Sequence, residues 1–139
     1  MQVRVRWTAL DNEGLHPFWS ANCGLYAYVG PRNEVLYIGK VDGCTVRQRW
    51  SRCGKEAFWD DLERERRIST HAVIFGDIEL ENGSRLTREL LCDIESLLIS
   101  QVQPWGNIQS RCSRTSRPGM LVRCVGCWPH QKGKFFDNG

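Results

Sequence analysis

Two short triplets place tyrosines at a spacing that could serve chemistry: Gly24-Leu25-Tyr26 and Tyr37-Ile38-Gly39, with ten residues between them. Arg49 follows the second triplet, and Glu95 lies much later in the chain. Hydrolysis of a phosphodiester needs an activated water, a cation against the non-bridging oxygens and a group that accommodates charge on the leaving oxygen. Two phenols, a guanidinium and a carboxylate can supply these functions if the fold brings them together.

Glu95 is the predicted metal ligand. It lies between Leu91 and Leu98 in a helical pattern that otherwise buries leucine and isoleucine, so we expect its carboxylate at the rim of the apolar face. A partly desolvated carboxylate prefers a cation, and its hard oxygen atoms suit Mg²⁺ or Mn²⁺. The alternative is a surface glutamate that pairs with a nearby arginine.

Two arginines compete for the role of phosphate ligand. A guanidinium is permanently charged and can direct two donors to one phosphate. Arg47 and Arg49 are two residues apart on the same predicted helix, roughly 200 degrees round it. Both side chains therefore cannot point inward.

Tyr26 and Tyr37 are the candidates for accepting a proton from the attacking water. A phenol loses its proton only near pH 10, so each starts as a poor base. A neighbouring Lys40, arginine or metal ion could lower that pKa. Both residues also suit strands, and the alternative is that they are plain core aromatics.

The strands that would hold the two triplets can be predicted from their loops. Residues 25–29 and 35–38 are expected to pair antiparallel, because residues 30–34 contain the Gly, Pro and Asn that a hairpin loop favours. Residues 2–7 alternate valine and arginine as a half-exposed strand would. Residues 71–75 are β-branched and aromatic and predict a third core strand.

Three helices are predicted to carry the remaining candidates. A helix is expected to begin at Thr45, where Gln48 can complete a capping box, and to end near Gly54. An amphipathic helix is expected over residues 55–67. The longest helix is predicted over residues 86–102, because leucine and isoleucine recur there with the period of one buried stripe.

The paired triplets resemble those for which the GIY-YIG nuclease family is named. That family places an arginine on the helix after the second triplet, a glutamate on a later helix, and then a proline and an asparagine. This chain has Arg49, Glu95, Pro104 and Asn107 in that order, so the resemblance covers residues 24–107. Each feature alone is weak, but their order makes the resemblance strong.

The resemblance implies a metal-dependent endonuclease that uses one divalent ion and tyrosine-assisted attack of water, leaving 5′-phosphate and 3′-hydroxyl ends. It favours Arg49 over Arg47, because the neighbouring Trp50 matches the family's basic-then-aromatic context. It ranks Tyr37 slightly ahead of Tyr26. The expected substrate-binding residues are Gly39, Lys40, Arg47 and Asn107.

The expected fold class is α/β, a small central antiparallel sheet of at least three strands flanked by helices. We expect one domain over residues 1–139, with a core at 24–107, an N-terminal extension at 1–23 and a basic C-terminal extension at 108–139. Residues 120–125 of this last extension could add a strand.

Charge is distributed unevenly along the chain, although its net value is only +3. Residues 96–136 contain six Arg and Lys residues and no Asp or Glu. A second basic cluster comprises Lys40, Arg47, Arg49, Arg52 and Lys55. A basic face predicts a nucleic-acid partner, with DNA favoured, although an ordinary solvated surface is the alternative. A protein partner could supply target recognition.

Seven cysteines with irregular spacing and no export signal indicate reduced thiols and a soluble, cytoplasmic protein with no membrane partner. Cys112, Cys124, Cys127 and His130 could form a zinc site, but we favour packed or exposed thiols because a second clear cysteine pair is missing.

Two rival functions follow from the residues. One is a non-catalytic nucleic-acid-binding module with the same fold, and the other is a zinc-stabilised interaction domain.

Overall fold

A computed structural model describes residues 1–51, 55–68, 71–107 and 116–138. The strands in these ranges are β1 Gln2–Ala9, β2 Cys23–Val29, β3 Val35–Asp42, β4 Ala72–Leu80, β5 Leu121–Gly126 and β6 Lys134–Phe136. The α-helices are α1 Val46–Ser51, α2 Lys55–Arg66 and α3 Arg88–Val102. Short 3-10 turns occur at Pro17–Ser20, Glu81–Gly83 and Trp105–Asn107. The predicted α/β class, a sheet flanked by helices, is confirmed.

All six strands belong to one sheet in the order β3-β2-β4-β1-β5-β6. The pairs β3-β2, β2-β4, β4-β1 and β5-β6 are antiparallel, as predicted for the core strands. The pair β1-β5, which joins strands of the two extensions, is parallel, so the six-stranded sheet as a whole is mixed. Parallel strands cannot be joined by a tight hairpin, and the chain between β1 and β5 includes β2, β3, β4 and the helices α1, α2 and α3.

The sheet separates two apolar cores, because successive side chains of a strand point to opposite faces. One face packs against the buried stripe of α3, which consists of Leu90, Leu91, Ile94, Leu97 and Leu98. On the other face Tyr26 and Tyr28 pack with Val46 of α1 and Leu62 of α2. The helices α1 and α3 therefore lie on opposite sides of the hairpin that holds the two triplets.

The sequence predicted the start of α1 correctly but placed the start of α3 too early. The predicted capping box is confirmed, because Thr45 N donates to Gln48 Oε1 at 2.8 Å and Gln48 N donates to Thr45 Oγ1 at 3.1 Å. The cap of α3 is Thr87, whose side chain accepts from Leu90 N, so the helix begins at Arg88, two residues after the predicted start. The predicted helix end at Gly54 lies outside the described residues.

Both extensions contribute strands to the sheet. Strand β1 comes from residues 1–23, while β5 and β6 come from residues 108–139. The buried Phe135 of β6 and Val122 of β5 belong to the same core as the α3 stripe. No described helix is long and apolar enough to span a bilayer.

Candidate active site at the edge strand

Three tyrosines form an aromatic cluster on one face of the hairpin. Tyr28 on β2 pairs in register with Tyr37 on β3, and their ring centroids are 5.5 Å apart. The Tyr26 ring lies 5.9 Å from that of Tyr37 and 5.5 Å from that of Tyr28. Sequence reasoning missed Tyr28, although its position two residues after Tyr26 on a strand places it on the same face.

Gly39 leaves room for the ring of Tyr26. The two residues pair across β2 and β3, and a Cβ added at Gly39 would lie 2.5 Å from Tyr26 Cζ and 2.6 Å from its hydroxyl oxygen. The space beside the Gly39 backbone is therefore occupied by a side chain of the protein. Gly39 positions Tyr26, which lies in the core between the sheet and helices α1 and α2, and a contact of Gly39 with substrate stays a prediction.

Asn107 binds the edge of β3 at the centre of the second triplet. Its Oδ1 accepts from Ile38 N at 2.8 Å, and its Nδ2 donates to Ile38 O at 3.0 Å. Because β3 is the outermost strand, those backbone groups face away from β2 and would otherwise be unpaired. Asn107 is only 6% exposed, and its two hydrogen bonds hold the segment of β3 that carries Tyr37.

Arg49, and not Arg47, is the arginine that α1 directs toward the tyrosines. The charge of Arg49 acts on the pKa of Tyr26 and on that of Tyr37. Arg49 Nε is buried, and no described residue accepts a hydrogen bond from it. Arg47 Nη2 instead donates to Gly14 O at 2.7 Å, with its guanidinium 6.0 Å from the Trp19 ring centre. The two arginines point apart, as their helical spacing predicted.

Glu95 on α3 interacts electrostatically with side chains of β3, the strand that holds Tyr37 and Lys40. It is half-buried, and burial raises its pKa, while the charges of Lys40 and Arg49 act to lower it. The Glu95 carboxylate in turn raises the pKa of Tyr37. Glu95 on α3 therefore interacts electrostatically with Lys40 and Tyr37 of β3 and with Arg49 of α1.

Lys40 has a partner that the sequence did not indicate. Its Nζ donates to Cys92 Sγ at 2.6 Å, and this hydrogen bond is the largest cause of the raised pKa of Lys40. Cys92 lies one helical turn before Glu95 on α3, so the i, i+3 spacing was the signal that could have found it. Lys40 therefore stays cationic beside Glu95.

Comparison with protein-family models, curated proteins and solved structures finds no match to this chain. The residues themselves therefore carry any argument about function.

The phenols are less acidic than expected from their cationic neighbours. Burial raises the pKa of Tyr26, Tyr28 and Tyr37 and outweighs the lowering effect of Arg49 on each. A hydrogen bond between Tyr26 and Tyr37 raises the pKa of Tyr26 and lowers that of Tyr37. Of the two predicted tyrosines, Tyr37 is the less buried and the better placed to interact with a water.

The residues considered for zinc do not converge in the described part of the chain. Cys124 is buried in the α3 core, where burial raises its pKa to about 12, while Cys127 is exposed. His130 Nδ1 accepts from the backbone of Lys132. Cys112 lies outside the described residues. Within the described ranges, no three His, Cys, Asp or Glu side chains group as metal ligands.

Proposed function

We propose that this chain is a metal-dependent endonuclease of the GIY-YIG type that hydrolyses phosphodiester bonds in DNA. The observation that supports it most is electrostatic: the charges of Arg49 and Lys40 both act on Glu95, and those of Arg49 and Glu95 both act on Tyr37. Cations, a carboxylate and a phenol in mutual range are the groups that phosphoryl hydrolysis needs.

Arg49 is proposed to hold the scissile phosphate. Its Nε has no acceptor among the described residues, and a phosphate oxygen would supply one. A buried donor without a partner costs about 1–3 kcal/mol, so a bound anion would recover energy that the free protein lacks. Lys40, held by Cys92, would add positive charge at the same phosphate.

Tyr37 is proposed to orient the attacking water. Its raised pKa keeps the phenol neutral at neutral pH, and its oxygen can then accept a hydrogen bond from that water. Tyr26 hydrogen-bonds with Tyr37 and would so help to orient the Tyr37 hydroxyl. Tyr26 is 2% exposed, which suits a positioning role and leaves Tyr37 as the group in contact with solvent.

Glu95 is proposed to hold the divalent ion. Its oxygen atoms suit Mg²⁺ or Mn²⁺, which take one or two carboxylates together with phosphate oxygens and water. The raised pKa of Glu95 fits this role, because a partly desolvated carboxylate gains from a cation. The ion would supply Lewis acidity at the phosphate and lower the pKa of a bound water.

Cleavage of labelled single-stranded, duplex and branched DNA, with Mg²⁺ or with chelator, tests this proposal. We expect wild type to cut at least one substrate with Mg²⁺ only, and Arg49→Ala to lose roughly a hundredfold or more in rate. Arg47→Ala is the matched control, because it removes the same charge from the same helix, and we expect it to lose far less. Glu95→Ala is expected to abolish cleavage.

Two results would contradict the proposal. If wild type and Glu95→Ala bind DNA equally and neither cuts it, the chain is a non-catalytic nucleic-acid-binding module. If Arg47→Ala and Arg49→Ala lose equal activity, the assignment of the phosphate ligand to Arg49 is wrong.

A further inference from the structure

The outer half of the sheet has an open face with an unusual row of cations. Arg4 on β1 pairs in register with Arg123 on β5, and Arg123 pairs with Lys134 on β6. All three side chains are exposed, because they alternate with the buried Val3, Val122 and Phe135. Three strands thus place three positive charges side by side, and we call these residues the cation row.

The cation row is unfavourable in the free protein. Like charges directly opposite one another destabilise a sheet, and the row has a carboxylate at only one end. That carboxylate is Glu79, which Arg4 approaches at 3.7 Å and which Arg6 also approaches at 3.4 Å. Among the described residues, no acidic side chain pairs with Arg123 or Lys134. Glu79 therefore partly neutralises Arg4, while Arg123 and Lys134 have no acidic partner among the described residues.

An exposed aromatic ring lies next to the cation row on the same face. Phe136 is two residues after Lys134 on β6, so both side chains point outward, and Phe136 is 52% exposed. A cleft of about 200 Å³ opens at the other end of the row, where Arg4 and Arg123 line it together with the carboxylates of Glu79 and Glu81. Cations in line with an exposed ring suit a strand whose phosphates are repeated and whose bases are unpaired.

We propose that the face formed by the cation row and Phe136 binds single-stranded nucleic acid. Arg4, Arg123 and Lys134 would contact successive phosphates, and Phe136 would stack on a base. The same sheet face continues through Thr8 of β1 and Phe75 of β4 to Tyr26, so a bound strand would lie on the side of the sheet that carries the tyrosine cluster. The inference rests on the proposed function only in taking nucleic acid as the ligand.

The test is binding of fluorescein-labelled oligothymidine to the full chain in chelator, measured by anisotropy over a range of salt concentrations. The double variant Arg123→Gln with Lys134→Gln is expected to bind roughly tenfold or more weakly and to reduce the salt slope by about 1.4, since each lost phosphate contact on a single strand contributes about 0.7. Phe136→Ala is expected to weaken binding about five- to hundredfold. Glu79→Gln is expected to strengthen binding, because it frees Arg4 and Arg6.

Matched controls separate this surface from general charge and from unfolding. Arg32→Gln with Arg85→Gln removes two exposed cations outside the row and should leave the affinity within about twofold of wild type. The row variant should melt at the same temperature as wild type or higher, because neutral residues relieve the like-charge repulsion. A row variant that binds as tightly as wild type would overturn the inference, and so would absence of binding by wild type or tighter binding of duplex.

Cleavage assays on the same variants keep the two proposals distinct. If the row variant loses binding but wild type never cuts, the proposed nuclease activity fails and the binding face stands. If wild type cuts and the row variant binds and cuts as well as wild type, the binding face fails and the nuclease proposal stands.

Discussion

Glu95 is half-buried, and burial disfavours its ionised form. Burial raises its pKa even though Lys40 and Arg49 act in the opposite direction. A charge that remains under-compensated after two neighbouring cations is typical of a site arranged for a further ligand. The expected consequence is a measurable loss of stability at neutral pH.

Glu95→Gln is predicted to stabilise the free protein. Because the folded pKa of Glu95 is raised, its ionised carboxylate destabilises the fold, and this destabilisation is complete above the raised pKa. It disappears as pH falls to the ordinary value of 4.5 and below, where Glu95 is protonated in both the folded and the unfolded state. Thermal melts across pH should show the variant above wild type at neutral pH and the two converging in acid. Glu89→Gln, exposed near the start of the same helix, is the control and should not gain stability, since a negative charge there is favourable. Equal melts of Glu95→Gln and wild type at every pH would refute the argument.

Gly39→Ala is predicted to displace Tyr26. The added methyl would lie 2.5 Å from Tyr26 Cζ, and overpacking of this kind costs about 1–3 kcal/mol. Urea denaturation should report that loss. Gly133→Ala is the matched control. The nearest atom to its added methyl would be a backbone carbonyl oxygen at 3.4 Å, which is an ordinary contact, and Gly133 does not have a positive φ. A similar loss in both variants would indicate backbone effects and not displacement of the ring.

Asn107→Ala is predicted to destabilise the protein by about 1–3 kcal/mol, because it leaves both backbone groups of Ile38 without their partners. Hydrogen exchange at Ile38 should accelerate more than exchange on the inner strand β2. Asn107→Asp retains an acceptor for Ile38 N but loses the donor to Ile38 O, so it is expected to rescue at most part of the loss. Unchanged exchange at Ile38 would contradict a positioning role.

Among the elements, α1 depends most on its ends, because it has only six residues. Its start is closed by the capping box of Thr45 and Gln48. Its end is tied by Trp50 Nε1, which donates to His71 Nε2 at 3.1 Å. Isolated helices of this length are unstable, so the cap and the contacts of Val46 hold Arg49 in place.

Thr45→Ala is therefore predicted to cost about 1 kcal/mol of folding free energy and to lower cleavage more than this loss of stability explains. The physical reason is that Arg49 would lose its orientation toward the tyrosines. Activity under conditions where the variant is fully folded is the measurement, and Thr45→Ser, which keeps the hydroxyl, is the control. A variant that folds stably and cuts at the wild-type rate would show that the cap does not position Arg49.

For the whole molecule, the extensions are part of one core. Phe135 of β6 is fully buried in the α3 core, whereas its neighbour Phe136 is 52% exposed. Phe135→Ala is predicted to cost about 3–5 kcal/mol in denaturant unfolding, and Phe136→Ala much less. Equal small effects would mean that β6 only lies against the domain and does not complete it.

Local patterns were sufficient for the elements near the candidate site. The hairpin, the cap at Thr45 and the buried stripe of α3 were all predictable, because each depends on residues within a few positions of one another. The strand ends were not, since β3 continues to Asp42 and β4 to Leu80, beyond the predicted 38 and 75. Strand length depends on the partner strand, which a local pattern does not contain.

The sequence by itself determined which side chains are present and which face of each helix and strand they occupy, because those periods are properties of the local backbone. Only the tertiary structure decided that Arg49 acts on the tyrosines while Arg47 binds Gly14, that Lys40 meets Cys92, and that β1 pairs parallel to β5. These outcomes depend on contacts between residues far apart in the chain. Such contacts are set by packing of the whole sheet, whose energy no single segment contains.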